Sequence, residues 1–399
     1  MEGDLIKINK WLIPFSWPYG MAVGMRNWLF DIGVLKSKAY GIPVISVGNI
    51  TVGGSGKTPH VEYLVKLLRE KAKVAVLSRG YKRKTHGYVL AGDDSTVSDI
   101  GDEPYQVKQK FPDVYVAVDA NRRRGISRLQ CDEETSDTDV VILDDAYQHR
   151  YVKPGVNILL VDYHRLVIYD RLLPAGRLRE PQSEMKRADI IIVTKCPCEM
   201  KPMEYRVLRN AIAPRPYQQL FYTTIKYECL HPVFGGEDKD MDFLRKGMNV
   251  MLLTGIATPE QMCNDLKEYT EKITPMSFSD HHQFKQKDID AINSAFEQME
   301  APKLIITTDK DSVRLKEAEG LSDEVKKAIY TLPIHVEFML DQKTDFDNNI
   351  LSYVKKNSRN SILSQAIDAE EKKPKGQTDK SKGSDGNENP PKPHTISFK

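Results

Sequence analysis

The segment Gly48-Asn-Ile-Thr51-Val52-Gly53-Gly54-Ser55-Gly56-Lys57-Thr58 brings three close glycines up to a lysine and a hydroxyl residue. These types in this order hold phosphate. Gly53, Gly54 and Gly56 let backbone N–H groups curl around phosphate oxygens, Lys57 reaches the outer phosphates, and Thr58 offers its hydroxyl to magnesium. The backbone from Thr51 to Thr58, with Val52 and Ser55, is expected to cradle a nucleotide. A buried-strand pattern precedes it at Val44 to Val47, and a helical pattern follows through Leu64, Leu67 and Leu68, which is the setting a P-loop requires. Pro59 suits the first helical turn, where its missing N–H costs little. One position departs from the strict motif: Thr51 stands where glycine is usual.

Acids and bases come next. Val140-Val-Ile-Leu-Asp144-Asp145 is an apolar strand ending in two carboxylates, the pattern that orients magnesium beside a P-loop. The following Ala146-Tyr-Gln148-His149 turn could bring Gln148 or His149 near the phosphates. Gly101-Asp102-Glu103-Pro104 opens a helical pattern, and on spacing alone it reads equally well as a plain N-cap. Phe278-Ser-Asp280-His281-His282 supplies tandem histidines, which by themselves are more often packing or surface residues. Basic clusters at Arg79 to Lys84 and Arg122 to Arg124 follow two predicted strands, where a wound parallel sheet opens its ligand crevice.

These residues need a scaffold. Short β-branched runs at 44–47, 74–77, 114–118, 140–143, 158–161 and 190–193 alternate with helical patterns, predicting an α/β fold with a P-loop NTPase-type parallel sheet wound with helices. Residues 218–227 read as extended. Beyond them the pattern restarts, with strands near 250–253 and 304–307 and helices near 259–272 and 287–299, predicting a second, smaller α/β domain. The organisation expected is an N-terminal membrane-interface segment at 1–40, a kinase core at 41–217, a linker and C-terminal α/β domain at 218–365, and a disordered tail at 366–399.

All three tryptophans (Trp11, Trp17, Trp28) fall within the first forty residues, yet Pro14, Pro18, Arg26, Asn27 and Asp31 interrupt every apolar run. A membrane span is not expected. An amphipathic segment lying at the headgroups is, with Lys7, Lys10, Arg26, Lys36 and Lys38 toward anionic lipid; packing of these aromatics on the next domain is the alternative. The net charge of +2 over 399 residues argues against nucleic acid as a partner. Five scattered cysteines and no signal peptide point to a reducing compartment rather than a disulfide framework or zinc site.

Taken in order, Arg26 to Leu29, Val47 to Pro59, Ser78 to Tyr81, Gly101 to Pro104, Leu143 to His149, Leu173 to Pro181, Ser279 to His282 and Thr308 to Asp311 resemble the tetraacyldisaccharide 4'-kinases of lipid A synthesis, over about residues 10 to 355. The resemblance implies transfer of the γ-phosphate of ATP, with Mg²⁺, to the 4'-hydroxyl of a tetraacyldisaccharide 1-phosphate. It also implies a monotopic enzyme on the cytoplasmic face of the inner membrane, working against its anionic surface with no obligate protein partner. By the same resemblance Asp102 and His281 form a catalytic dyad across the domain cleft, Asp144 and Asp145 are the metal-associated acids, and Arg179 and Glu180 lie near the active site. The chain has Ala146-Tyr147 where the family often has Gly-Phe, and Asp309 where it usually has Glu. A GTPase reading is disfavoured because Thr194-Lys-Cys-Pro197 lacks the aspartate of guanine readout. A nucleotide-gated membrane module without catalysis stays open on composition alone.

Overall fold

The computed structural model describes residues 8–255, 259–279 and 282–357. His281, with Asp280, Lys7 and the expected tail, lies outside the described residues.

The β-branched runs form the strands their composition dictates. A nine-stranded sheet has the order β14-β8-β7-β6-β1-β5-β2-β4-β3, built from β1 (Val44–Gly48), β2 (Val74–Ser78), β3 (Val89–Leu90), β4 (Tyr115–Val118), β5 (Val140–Asp144), β6 (Val156–Asp162), β7 (Ile190–Thr194), β8 (Gln219–Tyr227) and β14 (Ile334–Phe338). The seven inner strands are parallel; only the edge strands β3 and β14 run antiparallel. The cores of β1, β2, β5 and β7 are buried throughout, as strands covered on both faces must be. Helices α1 (Ile13–Asp31), α2 (Lys57–Leu68), α3 (Val97–Ile100), α4 (Asp102–Lys110), α5 (Arg122–Cys131) and α6 (Pro202–Ile212) accompany this sheet. The chain order reverses on either side of β1, so the loop after β1 opens into the crevice where wound sheets bind ligands.

A five-stranded sheet, β11-β10-β12-β13-β9, makes the second layer system. It comprises β9 (His231–Pro232), β10 (Asn249–Thr254), β11 (Ile273–Ser277), β12 (Lys303–Thr307) and β13 (Ile329–Thr331), with α7 (Pro259–Leu266), α8 (Gln286–Glu297), α9 (Asp309–Glu317) and α10 (Asp323–Ala328). Its two faces carry separate apolar clusters around Leu252 and Leu253. The chain then returns: β14 pairs with β8, and Phe346, Ile350 and Val354 of α11 (Lys343–Asn357) enter the core of the first sheet. The boundary drawn at 217 and 218 thus falls just before a strand of the large sheet, and β14 and α11, drawn with the C-terminal unit, lie on the first sheet.

Helix α1 is polar inward and apolar outward. Ser16, Asn27 and Phe30 are buried, while Trp11 in the preceding turn is 90% exposed, Trp17 73% and Trp28 57%, with Phe15, Met21 and Met25 alongside them. Arg26, expected to face lipid, instead donates to the Gln148 carbonyl at 2.9 Å. No helix among the described residues is long and apolar enough to cross a membrane. Where the chain passes between sheets, Cys229, His231 and Asp238 gather within 4.8 Å. The His231–Asp238 pair at 2.7 Å closes that turn beside the Leu230–Lys239 bridge.

Candidate active site

The glycine loop is held from three sides. Asn49 donates to Ser55 Oγ at 2.7 Å and to Thr51 Oγ1 at 3.2 Å, so the threonine that replaces the usual glycine takes part in the loop's own bonding. Thr194, at the end of β7, donates to the Ser55 carbonyl at 3.0 Å. The 171–179 segment lies alongside: Val52 N–H reaches the Arg177 carbonyl at 2.8 Å and Arg179 N–H the Ile50 carbonyl at 2.8 Å. Gly56, with φ of +80°, turns the chain into α2. There the His60 ring bonds the Gly56 carbonyl at 2.7 Å and Thr223 Oγ1 at 3.1 Å. Burial pushes His60 down to about 4, so the ring is neutral beneath the phosphate loop.

Both carboxylates at the end of β5 face this loop, in different states. Asp145, in the left-handed region at φ +47°, lies 3.7 Å from Lys57 Nζ and 3.2 Å from Arg179 Nη1. Burial alone would raise its carboxyl, but Lys57 and Arg179 outweigh burial and hold it below the ordinary carboxylate range. Asp144 is pushed up to about 7, chiefly by burial and then by the charges of Glu103 and Asp145. Its Oδ2 accepts from Ser78 at 3.2 Å, while Oδ1 meets no partner among the described residues. A buried acid with an unmet oxygen beside a second acid is a fit for a divalent cation, and Thr58 at the start of α2 completes the donor types.

Several sequence candidates serve the frame. Arg122 is buried and donates to the Asp144 and Asp119 carbonyls at 3.1 and 3.0 Å, while Arg124 pairs with Asp119 at 2.7 Å. Only Arg123 of that basic run is left exposed toward solvent without such a tie. Gln148 donates to the Asn49 carbonyl at 2.7 Å, steadying the loop from below. Glu180, almost wholly buried, pairs with Arg187 and accepts from Asn27 of α1 at 3.3 Å. Tyr19 of α1 donates to the Arg179 carbonyl at 2.9 Å, so α1 is tied directly to the loop segment that carries Arg179. His282 bonds Asp288 at 2.9 Å and stacks on Phe278, which commits it to its own domain.

Asp102 is the first residue of α4 rather than its cap; Gly101, at φ +91°, takes the cap position. Its carboxylate meets Arg314 of α9 at 2.5 Å. Nothing in the local sequence signals that partner, 212 residues away. A 760 Å³ cleft runs from Thr51–Ser55 past Lys195–Cys198 to Glu260, Gln261 and Tyr269 of the second domain. Asp162 and Lys195, paired at 2.9 Å on its floor, were not anticipated from sequence. Their signal was only their place at the carboxyl ends of β6 and β7.

Residues 8–355 match the family model described as tetraacyldisaccharide-1-P 4'-kinase. The chain is 55% identical over 366 residues to the tetraacyldisaccharide 4'-kinase of Phocaeicola vulgatus, covering 91% of this chain and all of that one. It is 50% identical to the enzyme of the same description from Bacteroides thetaiotaomicron, covering 92% and 99%. Among solved structures it resembles the "apo" form of LpxK from Aquifex aeolicus in complex with ATP, with a TM-score of 0.66, 31% identity, and 87% and 99% of the two chains covered. The chain belongs to the tetraacyldisaccharide 4'-kinase family and is an ATP-dependent 4'-kinase of lipid A biosynthesis.

Proposed function

We propose that ATP binds with its phosphates on Thr51–Thr58 and its remainder along the interdomain cleft, and that Asp102 takes the proton from the 4'-hydroxyl of a lipid A disaccharide 1-phosphate. The observation that carries this is the array at the end of β5: Lys57, Asp145 and Arg179 joined in one ion-paired line beside an under-coordinated Asp144. Thr58, Asp144 and Asp145 are the residues that would hold Mg²⁺, which when bound neutralises phosphate charge. Lys57 sits at the helix start, where its ammonium and the loop N–H groups offset the charge of the outer phosphates. In phosphoryl transfer the protein's task is mostly positioning. Asp102 suits this role because Glu103, its neighbour, is close enough to raise Asp144; the start of α4 therefore approaches the metal acids. His281 is the proposed partner of Asp102 in the dyad.

The outward aromatics of α1 support a monotopic enzyme seated on the cytoplasmic face of the inner membrane. An apolar face of this size, on a helix whose polar side chains point into the protein, has no use for water. Because Tyr19 and Asn27 of the same helix touch Arg179 and Glu180, the face that would meet lipid is about one helix diameter from the segment that carries Arg179. Transfer of labelled γ-phosphate from ATP to purified tetraacyldisaccharide 1-phosphate in detergent, in wild type and Lys57→Ala, tests the chemistry. A phosphorylated lipid that Lys57→Ala makes about 10² to 10³ times more slowly is expected; equal rates would sink the assignment of Lys57.

A further inference from the structure

Asp102 is gripped by a guanidinium of the second domain. Arg314 of α9 donates from Nη2 to Asp102 Oδ2 at 2.5 Å and from Nε to Oδ1 at 3.4 Å. Arg314 is 7% exposed, and its Nη1 donates to Asp311 Oδ1 at 3.2 Å. Asp311 is fully buried and accepts from Gly255 N–H at 2.8 Å and from Thr308 Oγ1 at 2.7 Å. Arg314 is thus aimed by the end of β10 and the first turn of α9, and it delivers that aim across the domain junction. Two nitrogens on two oxygens fix the plane of a carboxylate, which a single ammonium cannot do.

Asp102 and Arg314 also line one 340 Å³ cleft, with Tyr81, Lys82, Lys84 and Gln283 around it, so the pair borders open space rather than packed core. Among the described residues, the charged groups around Asp102 include Lys82, Lys84, Arg314 and Glu317 lining the same cleft, Glu103 beside it on α4, and Asp311 behind Arg314.

We propose that Arg314 is a positioning residue for the phosphoryl transfer: it keeps Asp102 ionised and oriented toward the acceptor hydroxyl. The base is then correctly set only while α9 is docked on α4, which couples proton removal to the seating of the second domain. This rests on the reading of Asp102 as the base.

The test measures transfer to tetraacyldisaccharide 1-phosphate across pH for full-length Arg314→Met, Arg314→Lys and Asp102→Asn, with ATP affinity followed separately. Arg314→Met should lower kcat by on the order of 10² while leaving ATP affinity near wild type. Its acidic limb should move up by about 1 pH unit or more, because losing an opposite charge raises a carboxyl's pKa. Arg314→Lys should return the limb toward its wild-type position, since the charge is kept, but not the full kcat, since the fork is lost. An unmoved acidic limb in Arg314→Met, with Asp102→Asn inactive, overturns the role of Arg314 and leaves the base in place. Wild-type kcat in Asp102→Asn overturns the base, and the positioning role falls with it. Should Arg314→Met fail to fold, Arg314→Lys decides: wild-type kcat would overturn the need for the fork.

Discussion

The two acidic sites, at the end of β5 and at the start of α4, are built in opposite ways. Asp144 and Asp145 stand at the end of a central strand, with their partners Ser78, Lys57 and Arg179 all supplied by the first domain. Asp102 starts a short helix and pairs with Arg314 of the second domain. The first site draws these partners from strand, helix and loop of a single domain. The second includes an ion pair made across two domains, so if Asp102 is the base, as proposed, domain docking would bear on the proton step more than on the phosphate loop. Burial follows the same division: Asp144 pays for its central position with a carboxyl pushed up to about 7.

The comparison is broken most directly at Asp102. Asp102→Ala should lower kcat by about 10² to 10⁴ while leaving ATP affinity roughly intact, measured by steady-state transfer and nucleotide titration. Equal loss of ATP binding would make Asp102 part of the phosphate site. Gly48→Ala attacks the other site, because an added Cβ would lie 2.8 Å from Tyr147 Cβ and 2.9 Å from its backbone nitrogen. We expect a loss of about 1 to 3 kcal/mol in stability, read by denaturant melts, together with weakened ATP binding. Gly101→Ala separates the two sites: its Cβ would lie 2.8 Å from the Tyr81 carbonyl at φ +91°. That variant should lose kcat while keeping nucleotide affinity, since it displaces the start of α4 and not the loop.

A smaller effect lies in His149, whose imidazole is pushed down to about 4 by burial and then by the charges of Arg122, Arg26, Arg79 and Arg123. The unfolded chain takes up this proton near the ordinary histidine value and the folded one does not. Stability is therefore full above that value and falls as pH drops from about 6.5 toward 4. With partial exposure discounted, the loss is on the order of 1 kcal/mol, and His149→Asn should flatten that limb of a melting curve taken between neutral and acid pH. Replacing Trp17 and Trp28 with Ser should leave folding unchanged and reduce sedimentation with anionic vesicles. Unchanged vesicle binding would remove α1 from the membrane reading.

The order of elements could be read because each is dictated locally. Continuous apolar runs such as 140–143 have no stable alternative to a doubly covered strand, and the glycine spacing at 53, 54 and 56 demands a phosphate-type loop whatever surrounds it. The paired acids after β5 were legible for the same reason. Less legible was what each polar side chain does with its charge. Arg122 and Arg124 read as either a substrate-facing cluster or a solvated charge run, but the buried Arg122 guanidinium must be paired and donates to the Asp119 and Asp144 carbonyls, while the exposed Arg124 pairs with the Asp119 carboxylate. Arg26 read as a lipid contact, but α1 turns that face inward.

By itself, the sequence determined most strands of the large sheet, the glycine loop between β1 and α2, the paired acids at the end of β5 and the family, because these depend on local runs and motifs. Only the tertiary structure decided that Arg314 grips Asp102, that α1 braces Arg179 and Glu180, and that β14 and α11 return to the first sheet. Those pairings span more than a hundred residues of chain and are selected by burial and charge satisfaction, which no local spacing records.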